Sequence, residues 1–461
     1  MGIEGYLVWL KTIMPSAFSP SPASMPRFDR VYVDLNGFLH KAAYRSISDS
    51  QVLNDAHRTL RTLLQRLRPR QELYVALDGA ASTLKMKLQR ARRLETNADW
   101  TKRGEVGISS SMFTPGTMFM GRVDTYLQER LASWIFNLKV TIDGAANQGE
   151  GELKVIQQAI QKQHGSSCIV SFDSDAIIHA LCANVENLWV YNPQADILFS
   201  AQQAKAVLKN EYSIPQELLR FFCLLSNFMG NDITSRLRHG SIKVLFSKLV
   251  HLLQANKLNA GSEYEMLQQL AEVHMKMMTG TTLQLYLAHE QEHNLEPADI
   301  EKRLAKHWFL NQWLLDSVTN PNVQSDFDLE SERVGPILGD VLKVSSDALS
   351  QHLQKLEMDH LAGSERIAKI PGAVALVLFE PTSAAISHLP LPLQRLASTL
   401  DPVAWAEGNC LRLLSDYTQL VSNIPKEEFT AEELRVTFAG KPIVSMQESL
   451  PAVPFIRNSH S

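Results

Sequence analysis

The chain has 461 residues and is 45% hydrophobic, enough to bury a sizeable core and, on length alone, to form two or three domains. Its formal charge of −4 and pI near 6.4 exclude a global basic field, so any contact with nucleic-acid phosphates has to come from a local patch. Four cysteines, Cys168, Cys182, Cys223 and Cys410, lie far apart in apolar stretches without CxxC spacing, which favours buried free thiols in a reducing compartment over a zinc site. The opening Met1-Gly-Ile-Glu-Gly-Tyr6 lacks the basic and apolar regions of a signal peptide, and Tyr6 stands where myristoylation requires Ser or Thr. No stretch reaches the roughly 18 apolar residues of a membrane span, so the expected location is cytoplasmic or nuclear, with no membrane partner.

Residues 16 to 26 read as a Ser/Pro-rich loop, followed by a first strand at Val31 to Val33 that ends in Asp34. Further short apolar runs follow at Leu73 to Leu77 ending in Asp78, at Ile169 to Phe172 ending in Asp173, and at Leu188 to Tyr191 ending in Asn192-Pro193. Between them lie stretches of helical periodicity, one through Val123, Leu127, Trp134, Ile135 and Leu138 and one from about Gly151 to Gln163. Strands alternating with helices imply an α/β domain with a mostly parallel sheet flanked by helices. From about Pro215 the pattern is nearly all helical, and residues 370 to 403 are richer in Pro, Ala and Ser. The expected organisation is an α/β domain over 1–240 and a second, mainly helical lobe over 241–461, with an irregular tail from about 440.

Three of the strands end in aspartate, and in open parallel sheets the carboxyl ends of the strands face the ligand crevice. Asp34, Asp78 and Asp173 are therefore expected on one rim. Asp175, two positions after Asp173, is expected to project to the same side of an extended segment. Glu150 and Glu152 form a second such pair in Gln148-Gly-Glu-Gly-Glu at a helix start, and Asp232 follows an apolar helix in Gly230-Asn-Asp. Each alone reads as a turn residue, an N-cap or a charge facing the helix dipole. Together, on one rim, they would repel one another unless hard divalent cations neutralised them. Mg²⁺ suits such oxygen ligands, and two ions can activate water and stabilise the leaving oxygen of a phosphodiester.

Directly after Asp78, residues 85 to 103 hold seven Lys or Arg against two acids. Lys85, Gln89, Arg92 and Arg93 fall at i, i+4, i+7 and i+8, hence on one helix face, and Arg and Lys are the natural donors to phosphate oxygens. A basic helix is often only a solvated surface. Its place beside a rim aspartate favours a phosphate pocket.

The segments Asp34-Leu-Asn-Gly-Phe-Leu-His40, Asp78-Gly with the Lys85 to Arg93 run, Phe113-Thr-Pro-Gly-Thr-Met-Phe-Met120, Gly149-Glu-Gly-Glu152, Asp173-Ser-Asp175 and Gly230-Asn-Asp232 occur in one order along the chain. In that order they resemble the Xrn-type 5′→3′ exoribonucleases, distant relatives of flap endonucleases among the PIN-like nucleases. The opening Met1 to Leu10 is similar to that family's start, and the resemblance extends over residues 1 to about 240. It implies a PIN-like nuclease core using two Mg²⁺ ions, with Mn²⁺ as a substitute, on RNA bearing a 5′-monophosphate, with release of nucleoside monophosphates. Asp34, Asp78, Glu150 and Glu152 match residues around one metal; Asp173, Asp175 and Asp232 match those around the second. Lys85, Gln89, Arg92 and Arg93 match the 5′-phosphate pocket, and His40 matches a residue that stacks on the first nucleotide.

Ser82 and Gln148 replace usual prolines, Leu153 replaces a histidine, and Ile233 to Arg236 replace the family's Phe-Leu-Pro-His. Ala404-Trp-Ala-Glu-Gly408 resembles the second conserved region, yet no aromatic follows Tyr417 before Pro425, where the family supplies a stacking partner. Loss of that stacking weakens grip and processivity, by about 1–3 kcal/mol per base, rather than abolishing chemistry. Two other readings stand beside the exoribonuclease: a flap-type 5′ DNA nuclease, and a catalytically weak or inactive RNA-binding scaffold.

Overall fold

In the computed structural model, the described residues are 5–20, 26–102, 108–132, 138–259, 261–292, 295–320, 329, 334–361, 369–438 and 444–446. Eight strands form one sheet: β1 (Phe18–Pro20), β2 (Arg30–Asp34), β3 (Glu72–Ala76), β4 (Lys139–Asp143), β5 (Ser167–Val170), β6 (Leu188–Asn192), β7 (Ile197–Ser200) and β8 (Val444–Met446). Their order is β1-β7-β6-β5-β2-β3-β4-β8. The five strands from β6 to β4 are parallel, and β7, β1 and β8 close the edges antiparallel. The expected α/β class with a mostly parallel sheet is the fold observed.

Helices connect and cover the strands: α1 (Tyr6–Ile13), α2 (Asn36–Ala43), α3 (Asp49–Leu67), α4 (Thr83–Lys102), α5 (Met118–Ala132), α6 (Gly151–Gln161), α7 (Asp175–Cys182), α8 (Ala201–Tyr212) and α9 (Leu219–Asn227). Both faces of the parallel strands are buried, as crossover helices require. Val31, Val33, Leu73, Val75 and Val170 face a core shared with α2, α3 and α5. Tyr32, Tyr74, Ala76 and Ile169, one residue out of phase, face the other core with α1 and α6 to α9. Period-two alternation thus serves two hydrophobic layers instead of one core and solvent.

Beyond α9 the described chain is helical up to β8: α10 (Ile242–Gln254), α11 (Glu263–Met277), α12 (Gly280–Glu292), α13 (Pro297–Thr319), α14 (Asp340–Lys343), α15 (Ser346–Leu361), α16 (Pro371–Leu378), α17 (Leu391–Ala397), α18 (Pro402–Glu407), α19 (Cys410–Ser422) and α20 (Ala431–Phe438). The Pro- and Ala-rich stretch becomes α16, started by Pro371 at its first turn and buried along its whole length. Its side chains share a core with Met86 of α4 and with Leu413, Leu414 and Tyr417 of α19. Trp405 of α18 is buried, donates Nε1–H to the Val377 carbonyl at 3.0 Å and lies under the Arg90 guanidinium, 3.9 Å from the ring centroid. The C-terminal helices are thereby fastened to the basic helix α4.

Several expectations need correction. Leu138 does not continue a helix. It precedes β4, whose Val140 and Ile142 are buried between β3 and β8, and Trp134 and Ile135 lie outside the described residues. The Ser/Pro-rich stretch from 16 contributes β1, because Phe18 to Pro20 pair with Ile197 to Phe199. The tail from about 440 is not wholly irregular, since Val444 to Met446 pair with Val140 to Ile142. Both edge segments are too short to show a periodicity and are held by their partners. Cys168, Cys223 and Cys410 are buried free thiols as expected, whereas Cys182, also free, is only partly buried.

Trp405→Ala removes the indole between α16, α19 and Arg90, and should cost about 3–5 kcal/mol of stability in a urea melt. A loss below about 1 kcal/mol would show that α18 does not anchor the C-terminal helices.

Candidate active site

The strand order reverses between β2 and β5, and at that point the loops leaving the carboxyl ends of the strands part into a crevice. A cavity of about 600 Å³ opens there. All twelve residues singled out in the sequence line it: Asp34, Asp78, Glu150, Glu152, Asp173, Asp175 and Asp232, then Lys85, Gln89, Arg92 and Arg93, and His40. Each is partly buried.

Asp34 is the last residue of β2 and Asp78 stands two residues past β3. Asn36 ties them together: its backbone N–H donates to Asp34 Oδ1 at 3.2 Å, while its side-chain carbonyl accepts the Asp78 N–H at 3.0 Å. Gly151 N–H donates to Asp78 Oδ1 at 2.6 Å. A Cβ on Gly151 would meet Asp34 Oδ1 at 2.8 Å and Asp78 Oδ1 at 3.2 Å, so only glycine lets the start of α6 approach both carboxylates. Gly79 is as constrained, since its Cβ would lie 1.6 Å from the Asn147 carbonyl oxygen. Two backbone hydrogen bonds then join the loops, with Gly79 N–H donating to Gly149 O and Gly149 N–H donating to Ala80 O, both at 2.9 Å.

Asp173 and Asp175 reach the cavity by a different geometry from the expected extended pair. β5 ends at Val170, and Asp173 Oδ1 accepts the Asp175 N–H at 3.2 Å in a turn that opens α7. Aspartate prefers this local capping hydrogen bond to an extended backbone.

Burial and the neighbouring Asp78 and Glu152 carboxylates hold the Asp34 carboxyl well above its usual range. Glu150 is raised too, chiefly by burial, with Lys85 opposing. Lys85 Nζ lies 2.7 Å from Asp232 and 3.3 Å from Glu150, and Arg92 Nη2 is 2.9 Å from the other Asp232 oxygen. Burial favours neutral forms of both Lys85 and Asp232, but their ion pair outweighs it, raising the ammonium and lowering the carboxyl. Arg93 donates Nε–H to Thr114 Oγ1 at 3.0 Å, linking the basic face to the Phe113-Thr-Pro-Gly segment. His40 packs edge-on to Phe113, 4.7 Å between centroids, and burial followed by the Arg93 charge pushes its pKa down to about 4, so it is neutral at pH 7.

Four further residues escaped the sequence reading. Lys154, buried on α6, donates to the Leu77 carbonyl at 2.8 Å and the Gly144 carbonyl at 3.0 Å and pairs with Asp143 at 3.1 Å, clamping the ends of β3 and β4. His179 Nδ1 lies 2.8 Å from Glu152; burial lowers the imidazole pKa, but Glu152 and Asp175 prevail and hold it at about 9. Its i, i+4 spacing from Asp175 on α7 was the available signal. Trp313 of α13 and Lys369 before α16 also line the cavity and come from the distant helical half.

The donor set is all oxygen and repels itself, which fits hard divalent cations. Among the described residues, no three His, Cys, Asp or Glu side chains already stand as a ligand group. Lys85 instead joins Glu150 to Asp232, residues the resemblance assigns to different ions.

Residues 1–193 match the model of the family described as the XRN 5′-3′ exonuclease N-terminus. The N-terminal region is similar to the Xrn family. Its relatives include 5′-3′ exoribonuclease 1 of Schizosaccharomyces pombe, 23% identical over 54% of this chain, and of Homo sapiens, 26% identical over 40%. The 5′-3′ exoribonuclease 2 of Candida albicans is 26% identical over 46%. These matches span only 23%, 13% and 27% of the three relatives' lengths. Among solved structures, the catalytic core of Rad2 with a DNA substrate has a TM-score of 0.40 at 13% identity, covering 78% of this chain and 96% of that one. The T5 D15 protein co-crystallised with metal ions has a TM-score of 0.36 at 12% identity, covering 71% and 97%. These structural likenesses are loose, and the similarity to the Xrn family is carried by the sequence matches.

The Lys154 clamp is open to test. Lys154→Met leaves Asp143 buried without its cation and should cost about 3–5 kcal/mol in denaturant melts. Adding Asp143→Asn should recover a large part of that loss, and additive losses in the double variant would show that the pair does not couple.

Proposed function

We propose that the chain is a 5′→3′ exoribonuclease that hydrolyses RNA carrying a 5′-monophosphate and releases nucleoside monophosphates. The observation that carries this reading is the meeting, in one cavity at the sheet's switch point, of seven carboxylates with the four-residue polar face of α4. The proposed division of labour follows the chain, with residues 1–240 supplying chemistry and the helical half supporting α4 and the cavity wall. A cytoplasmic or nuclear setting suits four free thiols.

In this reading Lys85, Gln89, Arg92 and Arg93 bind the 5′-phosphate, and so fix the first phosphodiester beside the carboxylates. Ion pairs with Asp232, and for Lys85 also with Glu150, hold Lys85 and Arg92 in the cavity before any phosphate arrives. Neutral His40 offers a flat ring to the first base. Asp34, Asp78, Glu150 and Glu152 would hold one divalent cation and Asp173, Asp175 and Asp232 a second, Mg²⁺ or Mn²⁺. When bound, such a pair supplies Lewis acidity that activates water and offsets charge on the leaving oxygen. Asn36, Gly151 and His179 act as positioning groups, each holding a carboxylate in place.

A catalytically silent RNA-binding scaffold is the second reading, and one observation favours it: Lys85 and Arg92 already offset Asp232 and Glu150 without a metal. RNAs with 5′-monophosphate, 5′-triphosphate or 5′-hydroxyl ends, incubated with the protein and Mg²⁺, separate the two. The exoribonuclease degrades the monophosphate form at least about tenfold faster, and Asp173→Ala abolishes decay. Equal decay of all three refutes the phosphate pocket, and no decay of any supports the scaffold. A faster attack on 5′-phosphorylated DNA flaps would point to the flap nuclease.

The electrostatics give an independent check. The folded-state pKa values of Asp34 and Glu150 are raised, so ionising them costs stability, and that cost grows as pH climbs from the unfolded value near 4 through the folded one. Cation binding relieves the cost. Mg²⁺ should therefore raise the melting temperature more at pH 7.5 than at pH 5, and Asp34→Asn should shrink the difference. Equal shifts at the two pH values would argue against a carboxylate-held ion.

A further inference from the structure

We propose that the solvent end of α2 is a track for the body of a single-stranded RNA, on which Tyr44 stacks a base beyond the one facing His40; the proposal rests on the exoribonuclease reading. The helix has two unlike sides. Asn36, Phe38, Leu39 and Ala42 are buried. On the other side Gly37 and His40 line the cavity, and Lys41 holds its ammonium 5.6 Å from the centroid of Phe172, itself part of the cavity wall.

Tyr44 and Arg45 continue this stripe at i+4 from His40 and Lys41, one turn, or about 5.4 Å, further out. Tyr44 is 92% exposed, and it is the only exposed aromatic among the described residues. An exposed phenol ring one helical turn beyond the cavity-lining His40, flanked by the exposed cations Lys41 and Arg45, has the two components of sequence-tolerant single-strand binding: a stacking surface and phosphate-matching charge. Asp49, the next acid along the chain, is ion-paired with Arg122 and does not oppose the patch. The surface is continuous with the cavity through His40 and Phe172. A strand whose 5′ end lies on α4 can leave along it.

The test uses the full chain in EDTA, where binding is read without cleavage, by fluorescence anisotropy with 5′-phosphorylated oligouridylates of roughly three and ten nucleotides. Tyr44→Ala should weaken the longer RNA about tenfold and leave the shorter unchanged, and Tyr44→Trp should restore the affinity. A Lys41→Ala/Arg45→Ala double variant should flatten the log–log salt dependence for the longer RNA by about 1.4. Wild-type affinity of Tyr44→Ala for the longer RNA overturns the track alone, as does an equal loss for both lengths. Failure of the wild-type protein to bind either RNA overturns the exoribonuclease reading and the track with it.

Discussion

Like charge gathered at the carboxyl end of a sheet is the constraint on which the rest of this site depends. Two unit charges 4 Å apart near a protein surface interact by about 4 kcal/mol, so several neighbouring carboxylates are costly to assemble. The chain offsets part of that cost with its own groups. Backbone N–H groups of Asn36 and Gly151 serve Asp34 and Asp78, Lys85 and Arg92 serve Asp232, Lys85 also serves Glu150, and protonated His179 serves Glu152. These three cations pair with Asp232, Glu150 and Glu152, and the crowding of Asp34 with Asp78 and Glu152 suits divalent ions. Burial, followed by the Asp78 and Glu152 charges, holds the Asp34 carboxyl raised.

The same need explains why α4 is so firmly held. Its cavity face carries Lys85, Gln89, Arg92 and Arg93, while its back meets the C-terminal helices through Met86, in the core with α16 and α19, and through Arg90 over Trp405. Arg90 also donates to the Gly408 carbonyl at 2.8 Å. Sequence spacing separates Arg90 from the cavity face, and the structure gives it this second role. The pocket proposed on one side of this helix needs the other side held in place. The helical half therefore contributes to the site without supplying any of its carboxylates.

Much of the site was legible because its signals are local. An apolar run ending in aspartate places that aspartate at a strand's carboxyl end, and i, i+4, i+7 spacing places four side chains on one helix face. What stayed hidden depends on partners distant in sequence. β4 is short, follows directly on a helix-like stretch, and is recognisable only once Val140 and Ile142 are seen between β3 and β8. Lys154 reads as an ordinary helical lysine until Asp143 and the carbonyls of Leu77 and Gly144 converge on it. Trp313 and Lys369 come to the cavity from the helical half, well beyond Asp232 along the chain, and no motif announces them. For Asp173 and Asp175 the expected outcome held while its cause did not: a capping turn, rather than strand alternation, brings them together.

The aromatic segment missing after Tyr417 is not replaced from within the C-terminal helices. Trp405 is committed to the core and to Arg90, and Tyr417 is buried among the same helices. Trp313, although it lines the cavity, keeps only 7% of its surface accessible and packs with Leu84, Leu310 and Leu329. Rings that can meet a base near the cavity are thus concentrated on the side built by α2 and the end of β5, at His40, Phe172 and Tyr44. A strand gripped from one side gains less per base than one sandwiched between two rings. This chain's hold on RNA would then lean on the charged face of α4, and so on the ion pairs that keep Lys85 and Arg92 aimed into the cavity.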